Sequence, residues 1–496
     1  MREQGVVLNL RQSWRVPVRS LRYWSVVTRA DVDAAAQRLA GVAQVTPLQR
    51  SDRLSARVGA EVLLKREDLQ PVRSYKLRGA FNFLVQADAE SRGSGVVCAS
   101  AGNHAQGVAL ACAQLGVKGR VYLPRTTPRQ KRERIAWLGG AAVEVQLVGD
   151  TYDEALAACI ADSAQTGALV VPAFDAEATI AGQGTVAREV VGQLGSRPDL
   201  FVVPVGGGGL LAGCVTWLGD GARVVGVEPA GAPSMTAALA AGQPVRLDEL
   251  DSFVDGAALR QVGALTHSII AAAGTPVRTV SEGALCSELL ALYQSEGIIA
   301  EPAGALATTA LAEIDIAAGS TVVCVISGGN NDVSRYGEIL ERSLVHEGLK
   351  HYFLVDFPQE PGALRRFLDE VLGPDDDITR FEYVKRNNRD TGPALVGIEL
   401  ARRDDLTGLI ARMDDSPLAV QHLEPGSPLP PNASPGAFSL SECTRRCVAG
   451  TRAGDTARTR LGRTPPPSPS TCEREVGLHE VARRAVTDVG RIASLR

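Results

Sequence analysis

The sequence predicts an α/β protein whose parallel sheets are followed by a smaller βαββαβ domain. Three observations predict this architecture. Short apolar runs alternate with segments of helical length, glycine is plentiful at 51 residues, and aromatic residues make up only 4% of the 496 positions. Strands buried on both faces of a parallel sheet form such continuous apolar runs, and glycine suits the tight turns between strands and helices.

The composition narrows the class of protein. Hydrophobic residues at 45% and charged residues at 22% are typical of a soluble globular protein. The net charge of −4 gives no reason to expect a nucleic acid or a membrane surface as partner, and no apolar run reaches the ~18 residues needed to span a bilayer. The nine cysteines are scattered, mostly inside apolar runs. They indicate reduced thiols in a cytoplasmic protein, with neither a disulfide framework nor a metal site.

The first domain is predicted over 26–345. Residues 1–25 match no structural pattern, and we expect a disordered extension there. Helical spacing follows at 31–40, and a short strand at 61–65. The remaining strands are predicted from apolar runs at 95–99, 119–123, 141–148, 168–172, 200–205, 223–227, 277–280 and 321–326. Right-handed crossovers would place the carboxyl ends of these strands, with their loops, on one side of each sheet.

A second domain is predicted over 348–424. Its strands are expected at 352–355, 378–384, 394–400 and 420–423, and its helices at 362–372 and 406–413. This βαββαβ order is ferredoxin-like. Beyond it, residues 425–496 are rich in proline and arginine, and Phe438 is their one aromatic residue. Because such a segment buries too little apolar surface to offset its chain entropy, we expect most of it to be disordered.

Lys76 lies in the run Ser-Tyr-Lys-Leu-Arg-Gly-Ala at 74–80, among apolar neighbours at a predicted helix start. A lysine amine has an ordinary pKa of about 10.4. It becomes a nucleophile toward an aldehyde when desolvation or a neighbouring charge releases its proton. Taken alone, this stretch is better explained by a surface lysine at the start of a helix.

A turn of small and polar residues follows the predicted strand at 95–99. It consists of Ser100, Ala101, Gly102, Asn103 and His104. Such a turn before a helix offers free backbone N–H groups to an anion such as a substrate carboxylate, and Asn103 can supply an amide to a cofactor hydroxyl. A simple capping turn is the alternative, and His104 by itself is more typical of a structural residue.

Four consecutive glycines follow the predicted strand at 200–205. They are Gly206, Gly207, Gly208 and Gly209, and Leu210 comes next. Such a run is costly in backbone entropy, and it is explained when the backbone must approach a phosphate and donate several N–H groups. The run is neither a dinucleotide fingerprint nor a P-loop. It therefore predicts a phosphate-binding turn of another kind.

Ser327 follows the predicted strand at 321–326, in the run Ser-Gly-Gly-Asn-Asn. Its hydroxyl can hydrogen-bond the ring nitrogen of a pyridine. A neutral partner leaves that nitrogen largely unprotonated and tempers the ring as an electron sink. A helix cap explains this serine about as well in isolation.

In this order along the chain, the four stretches resemble the serine/threonine dehydratase branch of the fold-type-II pyridoxal-phosphate enzymes, over about 27–344. The runs at 65–68 and 301–305 are also similar to family signatures. The resemblance implies a catalytic domain of two subdomains that binds pyridoxal 5'-phosphate. It implies that Lys76 carries the cofactor covalently and acts as the base. By the same resemblance Asn103 bonds the ring hydroxyl and Ser327 the ring nitrogen. Residues 206–210 then cradle the phosphate, and residues 100–104 bind the substrate carboxylate.

Residues 348–424 resemble the ACT-like regulatory domain of biosynthetic threonine dehydratases. This resemblance implies deamination of L-threonine to 2-oxobutanoate and ammonia, in isoleucine biosynthesis. It further implies inhibition by isoleucine, opposition by valine, and a homo-oligomer, either a tetramer or a dimer. The tail at 425–496 departs from the family pattern, either as a shifted reading frame or as an appended extension, so the resemblance does not imply how strong the feedback is.

Three alternatives stay open from the sequence. The second domain can be an oligomerisation module that binds no ligand. The enzyme can be a serine dehydratase or serine racemase of the same family, because a single methyl group provides only about 1–3 kcal/mol of discrimination. The chain can also be a non-catalytic amino-acid sensor, against which Lys76, Asn103 and Ser327 all argue.

Overall fold

A computed structural model of the chain describes residues 27–383 and 390–424. The predicted extensions at 1–25 and 425–496 lie outside the described residues. The helices are α1 (Arg29–Arg38), α2 (Asp52–Val58), α3 (Lys76–Gln86), α4 (Ala89–Gly93), α5 (Asn103–Leu115), α6 (Arg129–Gly139), α7 (Tyr152–Thr166), α8 (Glu177–Leu194), α9 (Gly209–Leu218), α10 (Ser234–Ala241), α11 (Ala264–Ala272), α12 (Glu282–Glu296), α13 (Pro302–Thr309), α14 (Tyr336–Glu347), α15 (Ala363–Glu370) and α16 (Asp405–Asp415).

Apart from the first strand, which was not predicted, the strands lie at the predicted apolar runs, with ends that differ by a few residues. They are β1 (Leu48–Arg50), β2 (Glu61–Arg66), β3 (Val96–Ala99), β4 (Gly119–Leu123), β5 (Val143–Leu147), β6 (Leu169–Val170), β7 (Leu200–Pro204), β8 (Arg223–Pro229), β9 (Val277–Val280), β10 (Thr321–Ile326), β11 (Lys350–Pro358), β12 (Asp377–Tyr383), β13 (Thr391–Glu399) and β14 (Ala419–Leu423). The predicted α/β class is confirmed.

The larger sheet has six strands in the order β1-β2-β10-β7-β8-β9. All neighbouring pairs are parallel except β1 with β2, which is antiparallel. The central strand β7 is buried at every position, as expected for a strand covered by helices on both faces. The carboxyl ends of β7 and β10 lie side by side, and the glycine run and Ser327 follow directly from them.

The smaller sheet of the catalytic part has four parallel strands in the order β5-β4-β3-β6. Its core contains side chains from α3, α5 and α6, including Leu77, Val108 and Ile135. α3 also packs against α8, and a side chain in place of Gly182 on α8 would lie 2.5 Å from the Arg78 carbonyl oxygen. Helix α3, which begins at Lys76, therefore lies between the two sheets.

The C-terminal sheet is antiparallel, in the order β12-β13-β11-β14. Phe353, Val355 and Phe357 of β11 form a core with Phe367 of α15 and Leu409 of α16. This is the arrangement of a ferredoxin-like βαββαβ unit, which confirms the predicted fold of the second domain. α14 runs from the catalytic part directly into β11.

Six cysteines lie in the described part of the chain, and all six are buried free thiols. No helix among the described residues is both long enough and apolar enough to cross a membrane.

Candidate active site

Lys76 is the first residue of α3, and its side chain is half-buried. Its Nζ donates a hydrogen bond to the Ala173 carbonyl at 3.4 Å and lies 5.3 Å from the centre of the Tyr75 ring. A side chain in place of Gly107 on α5 would lie 3.1 Å from the Lys76 backbone. Glycine at this position lets α5 approach α3 closely, so the amine is not on an open surface.

Ser327 is connected to the lysine loop through the backbone. The Tyr75 N–H donates to the Ser327 carbonyl at 3.2 Å, and Ser74 forms an isolated antiparallel bridge with Gly328. The Ser327 side chain is 3% exposed, and its hydroxyl donates to the Ala303 carbonyl at 3.3 Å. The sequence separates Ser327 from Lys76 by most of the catalytic domain, yet the structure holds them on adjoining backbone.

The glycine run forms the turn between β7 and α9. Gly208 has a φ of +89°, in the left-handed region that favours glycine. A side chain in place of Gly207 would lie 2.2 Å from the Phe174 ring. None of the described side chains caps the N-terminus of α9, which begins at Gly209. The first N–H groups of the helix are thus available to an anion.

Two consecutive residues connect the glycine turn to the lysine. Ala173 accepts the hydrogen bond from Lys76, and Phe174 fills the space beside Gly207 and Gly209. Thr266 supports the same turn, since its hydroxyl donates to the Gly207 carbonyl at 2.7 Å. Neither Phe174 nor Thr266 was predicted from the sequence, because neither lies in a glycine-rich or charged run.

The turn at 100–104 comes from the smaller sheet. Ser100 accepts a hydrogen bond at its hydroxyl from the Gly102 N–H, at 3.2 Å, and Asn103 is the first residue of α5. The Asn103 side chain donates from Nδ2 to Glu301 Oε1 at 2.6 Å. A side chain in place of Gly328 would lie 3.2 Å from that Nδ2. Asn103 therefore lies beside the residue that follows Ser327.

His104 is buried and held neutral. Its Nε2 lies 2.9 Å from the Val171 carbonyl oxygen, and because a carbonyl only accepts, Nε2 carries the proton. Burial, and after it the charge of Lys76, lowers the pKa of His104 to about 4. The hydrogen bond supports a structural role, as the sequence alone favoured.

Glu301 is a site residue whose role the sequence did not predict, although its run was noted as a family signature. It is 6% exposed. Burial, and after it the charge of Asp255, raises the pKa of Glu301 to about 7. Asp255 also pairs with Lys131 of α6 at 2.7 Å. This ion pair joins the smaller sheet's helix layer to a loop that follows the larger sheet's strand β8.

A buried cluster of charges lies behind Lys76. It includes the run at 65–68 that the sequence marked as a signature. Arg78, which is fully buried, bonds Glu67 Oε2 at 2.8 Å and Glu189 Oε1 at 2.6 Å. Lys65 Nζ bonds Glu189 Oε2 at 2.9 Å. Although burial opposes its charge, the Arg78 guanidinium holds the pKa of Glu67 below its usual range.

These residues fit pyridoxal phosphate by the chemistry of their donors. An uncapped helix start after four glycines suits a phosphate, a half-buried lysine suits an aldehyde, and a buried hydroxyl suits a pyridine nitrogen. In addition, the buried Ser74 hydroxyl and both amide atoms of Asn331 have no hydrogen-bond partner among the described residues. They flank Lys76 and Ser327 in sequence, which suits a polar group bound between them.

Comparison with known proteins identifies the family of this chain. The profile of the family described as "Pyridoxal-phosphate dependent enzyme" matches residues 39–328. A second profile, described as "C-terminal regulatory domain of Threonine dehydratase", matches residues 341–430.

Individual proteins are similar over most of both chains. The biosynthetic L-threonine dehydratase IlvA of Mycobacterium tuberculosis H37Rv is 65% identical over 404 residues, which cover 80% of this chain and 94% of that protein. Among solved structures, the processed threonine deaminase isoform 2 of Solanum lycopersicum is 34% identical with a TM-score of 0.59, covering 64% of this chain and 96% of that one. Maize serine racemase is 27% identical with a TM-score of 0.59, covering 65% and 99%. By its matched profiles and its relatives, the chain belongs to the family of pyridoxal-phosphate dependent enzymes and, within it, to the biosynthetic threonine dehydratases.

Proposed function

We propose that this protein deaminates L-threonine to 2-oxobutanoate and ammonia, the step that leads from threonine toward isoleucine. The observation that carries the proposal is the convergence on Lys76. The Ser327 carbonyl bonds the N–H of the preceding Tyr75, and Lys76 itself bonds Ala173, next to the Phe174 that fills the space beside Gly207. Asn103 lies beside Gly328, which pairs with Ser74 of the lysine loop. The relatives named threonine dehydratase and the match to a threonine dehydratase regulatory domain support threonine as the substrate.

The residue roles follow the chemistry of each group. We assign Lys76 as the covalent attachment point and as the base that takes the α-proton of the substrate. Asn103 would donate to the cofactor's ring hydroxyl, and Ser327 would face its ring nitrogen. Gly206, Gly207, Gly208, Gly209 and Leu210 would bind the phosphate through backbone N–H groups. The turn at 100–104 would hold the substrate carboxylate.

Bound pyridoxal phosphate supplies the electron sink for the pair left when the α-proton is removed. The chain supplies position and proton transfer. The Lys76 amine must reach the α-carbon from a fixed helix start, and the Ala173 carbonyl 3.4 Å away gives it a resting partner. Close packing of Gly107 of α5 against the Lys76 backbone fixes the point from which the amine acts.

Regulation is proposed for the second domain. Catalysis would be carried by residues 26–345, and residues 348–424 would bind isoleucine as inhibitor and valine as its opponent. Each effector requires different affinities for two states of the enzyme. The direct run of α14 into β11 supports such coupling, because Lys350 of β11 bonds Glu341 of α14 at 2.5 Å.

We also propose that the protein acts as a homo-oligomer, a tetramer or a dimer. Val333 and Leu340 are exposed apolar residues on one side of α14 and its approach, at 77% and 48%. Tyr336 lies between them at helical spacing and contacts Tyr293 of α12, with ring centres 5.8 Å apart. Exposed apolar side chains grouped along one stretch are the kind of surface through which copies of a chain associate. Free buried thiols support a reducing compartment, the cytoplasm.

A serine dehydratase or racemase is the second candidate, and the likeness to maize serine racemase favours it. The regulatory-domain match argues for threonine instead. An assay of keto acid with L-threonine and with L-serine, each with and without isoleucine, tests both. We expect 2-oxobutanoate from threonine at a higher kcat/KM than pyruvate from serine, and a lower rate with isoleucine. Keto acid from serine alone, or racemised serine without keto acid, would overturn the proposal.

A further inference from the structure

The Asn103 side chain forms a hydrogen bond with Glu301, which precedes α13. Its Nδ2 donates to Glu301 Oε1 at 2.6 Å. Glu301 is the N-cap residue of α13, which begins at Pro302. Within the described residues, however, no side chain makes a capping bond to α13. The buried carboxylate is turned toward Asn103 instead.

The orientation of the Asn103 amide is determined by a chain of hydrogen bonds that begins at backbone. Asn330 Nδ2 lies 2.8 Å from the Val72 carbonyl oxygen. A carbonyl oxygen only accepts, so this atom of Asn330 must be the amide nitrogen. The same nitrogen lies 2.6 Å from Asn103, and the atom it meets must therefore be Oδ1. The NH2 group of Asn103 then faces Glu301.

This orientation decides what Asn103 can offer to the rest of the site. Its NH2 group carries two N–H donors, and Glu301 accepts one of them. The second N–H is available to an oxygen bound in the site. If the amide were turned over, a carbonyl oxygen would occupy that position and repel an anionic ring oxygen.

Position 328 must be glycine for the Glu301 carboxylate to reach Asn103. A side chain in place of Gly328 would lie 2.3 Å from Glu301 Oε1. The Glu301 N–H also donates to the Gly328 carbonyl at 3.0 Å. Glu301 is thus held by the same backbone that carries Ser327.

We propose that Glu301 is a positioning residue that, together with Asn330, holds the Asn103 amide with one N–H directed at the ring oxygen of the cofactor. The proposal rests on the proposed function, which assigns Asn103 to that oxygen. Glu301 itself acts through Asn103.

A double-mutant cycle on cofactor affinity tests this role in the full chain. The dissociation constant of pyridoxal phosphate is measured by equilibrium dialysis for Glu301→Ala, for Asn103→Ala and for the double variant. We expect Glu301→Ala alone to weaken binding on the order of 10-fold, the loss that outer partners of a binding group cause. In the Asn103→Ala background the same change should have no further effect. An equal loss in both backgrounds, or wild-type affinity of Glu301→Ala, would overturn the proposal.

Two further variants distinguish a positioning role of Glu301 from a general loss of stability. Glu301→Gln keeps an oxygen acceptor and should bind the cofactor within about 3-fold of wild type. Glu288→Ala removes another buried carboxylate, 5% exposed and paired with Arg53 at 2.7 Å. It is expected to lower the unfolding temperature without weakening cofactor binding. A matching loss of cofactor affinity in Glu288→Ala would refute a specific role for Glu301.

Should Glu301→Ala fail to fold, Asn330→Ala tests the same positioning of Asn103 through its second hydrogen-bond partner. It removes the donor that fixes Asn103 and leaves Glu301 in place. We expect Asn330→Ala to weaken cofactor binding in the wild-type background and to cause no further loss in the Asn103→Ala background. An additive loss would contradict the proposal. Because the readout is cofactor affinity, an enzyme inactive toward threonine would refute the proposed function while leaving this result interpretable.

Discussion

At the scale of single residues, burial shifts the pKa of two polar side chains in the candidate site. His104 carries its proton on Nε2 and stays neutral, because burial and the charge of Lys76 lower its pKa to about 4. Glu301 has its pKa raised to about 7 by burial and by Asp255. Burial therefore disfavours the charged form of both His104 and Glu301.

The low pKa of His104 predicts a loss of stability in acid. Its folded pKa of about 4 lies below the ordinary 6.5. Its contribution is fully present above pH 6.5 and is lost as the pH falls toward 4, because only the unfolded chain then takes up the proton. The shift corresponds to at most about 3 kcal/mol. His104→Gln should flatten the dependence of the free energy of unfolding on pH between 4 and 6.5, as measured by urea unfolding.

The exposed His346 at the end of α14 provides the matched control. Its replacement by glutamine is expected to leave the acid limb of the stability profile unchanged. If the free energy of unfolding of His104→Gln retains the wild-type slope against pH between 4 and 6.5, the conclusion that His104 is neutral in the folded protein is wrong.

Sequence patterns found the candidate residues but not their partners. Lys76, Asn103 and Ser327 stood out only together, because their runs in this order along the chain resemble one enzyme family. The bond between Asn103 and Glu301 joins residues 198 positions apart, and no local pattern reports such a contact. Phe174, which fills the space beside the glycine turn, carries no sequence signal at all.

At the scale of elements, helix α3 is fixed by a buried charge cluster as well as by apolar packing. Arg78 lies in its first turn and bonds both Glu67 and Glu189. Removing one partner of such a cluster leaves uncompensated charges in the interior. The start of α3, and with it Lys76, depends on the cluster staying complete.

Replacing Arg78 by methionine should therefore destabilise the fold strongly. We expect a loss of about 3–5 kcal/mol in the free energy of unfolding, because Glu67 and Glu189 lose their shared partner. Arg129→Met is the matched control. Arg129 pairs with Glu133 on the exposed face of α6, where solvent screening leaves such pairs with little effect on stability. Similar urea midpoints for both variants would contradict a stabilising role of the cluster.

Element types and order were predictable because the apolar runs have the length and composition of buried strands. The antiparallel pairing of β1 with β2 was not, since an edge strand of three residues carries no signal of direction. The helices of the second domain were predicted within a few residues of their ends. Caps determine those ends, and α15 begins after Gly362 in a left-handed conformation, which an apolar pattern does not reveal.

At the scale of the whole molecule, the site lies where the carboxyl ends of strands from two sheets meet. β7 and β10 of the larger sheet present the glycine turn and Ser327, and β3 of the smaller sheet presents the turn at 100–104. Loops at the carboxyl ends of parallel strands are the usual place for ligands in such folds. Helix α14 connects the catalytic part directly to the C-terminal sheet. A conformational change in that sheet can therefore be transmitted through α14.

The last strand of the described C-terminal sheet, β14, ends at Leu423, which pairs with Tyr352 of β11. Removal of residues 431–496 should therefore leave keto-acid formation and its proposed inhibition by isoleucine unchanged. Removal of residues 419–496 takes away β14 as well and should abolish the response to isoleucine. The rate of 2-oxobutanoate formation against isoleucine concentration distinguishes the two truncations. If removal of residues 431–496 is already enough to weaken inhibition by isoleucine, the tail takes part in regulation.

The central claim is that Lys76 is the residue that carries the cofactor. The most direct test is reduction of the cofactor-loaded protein with borohydride, followed by proteolysis and mass spectrometry of the peptides. The account predicts that the cofactor-derived mass is found on the peptide that contains Lys76, and that the Lys76→Ala variant shows no labelled peptide. A label on another lysine of the wild-type protein, or bound cofactor that labels no peptide, would contradict it.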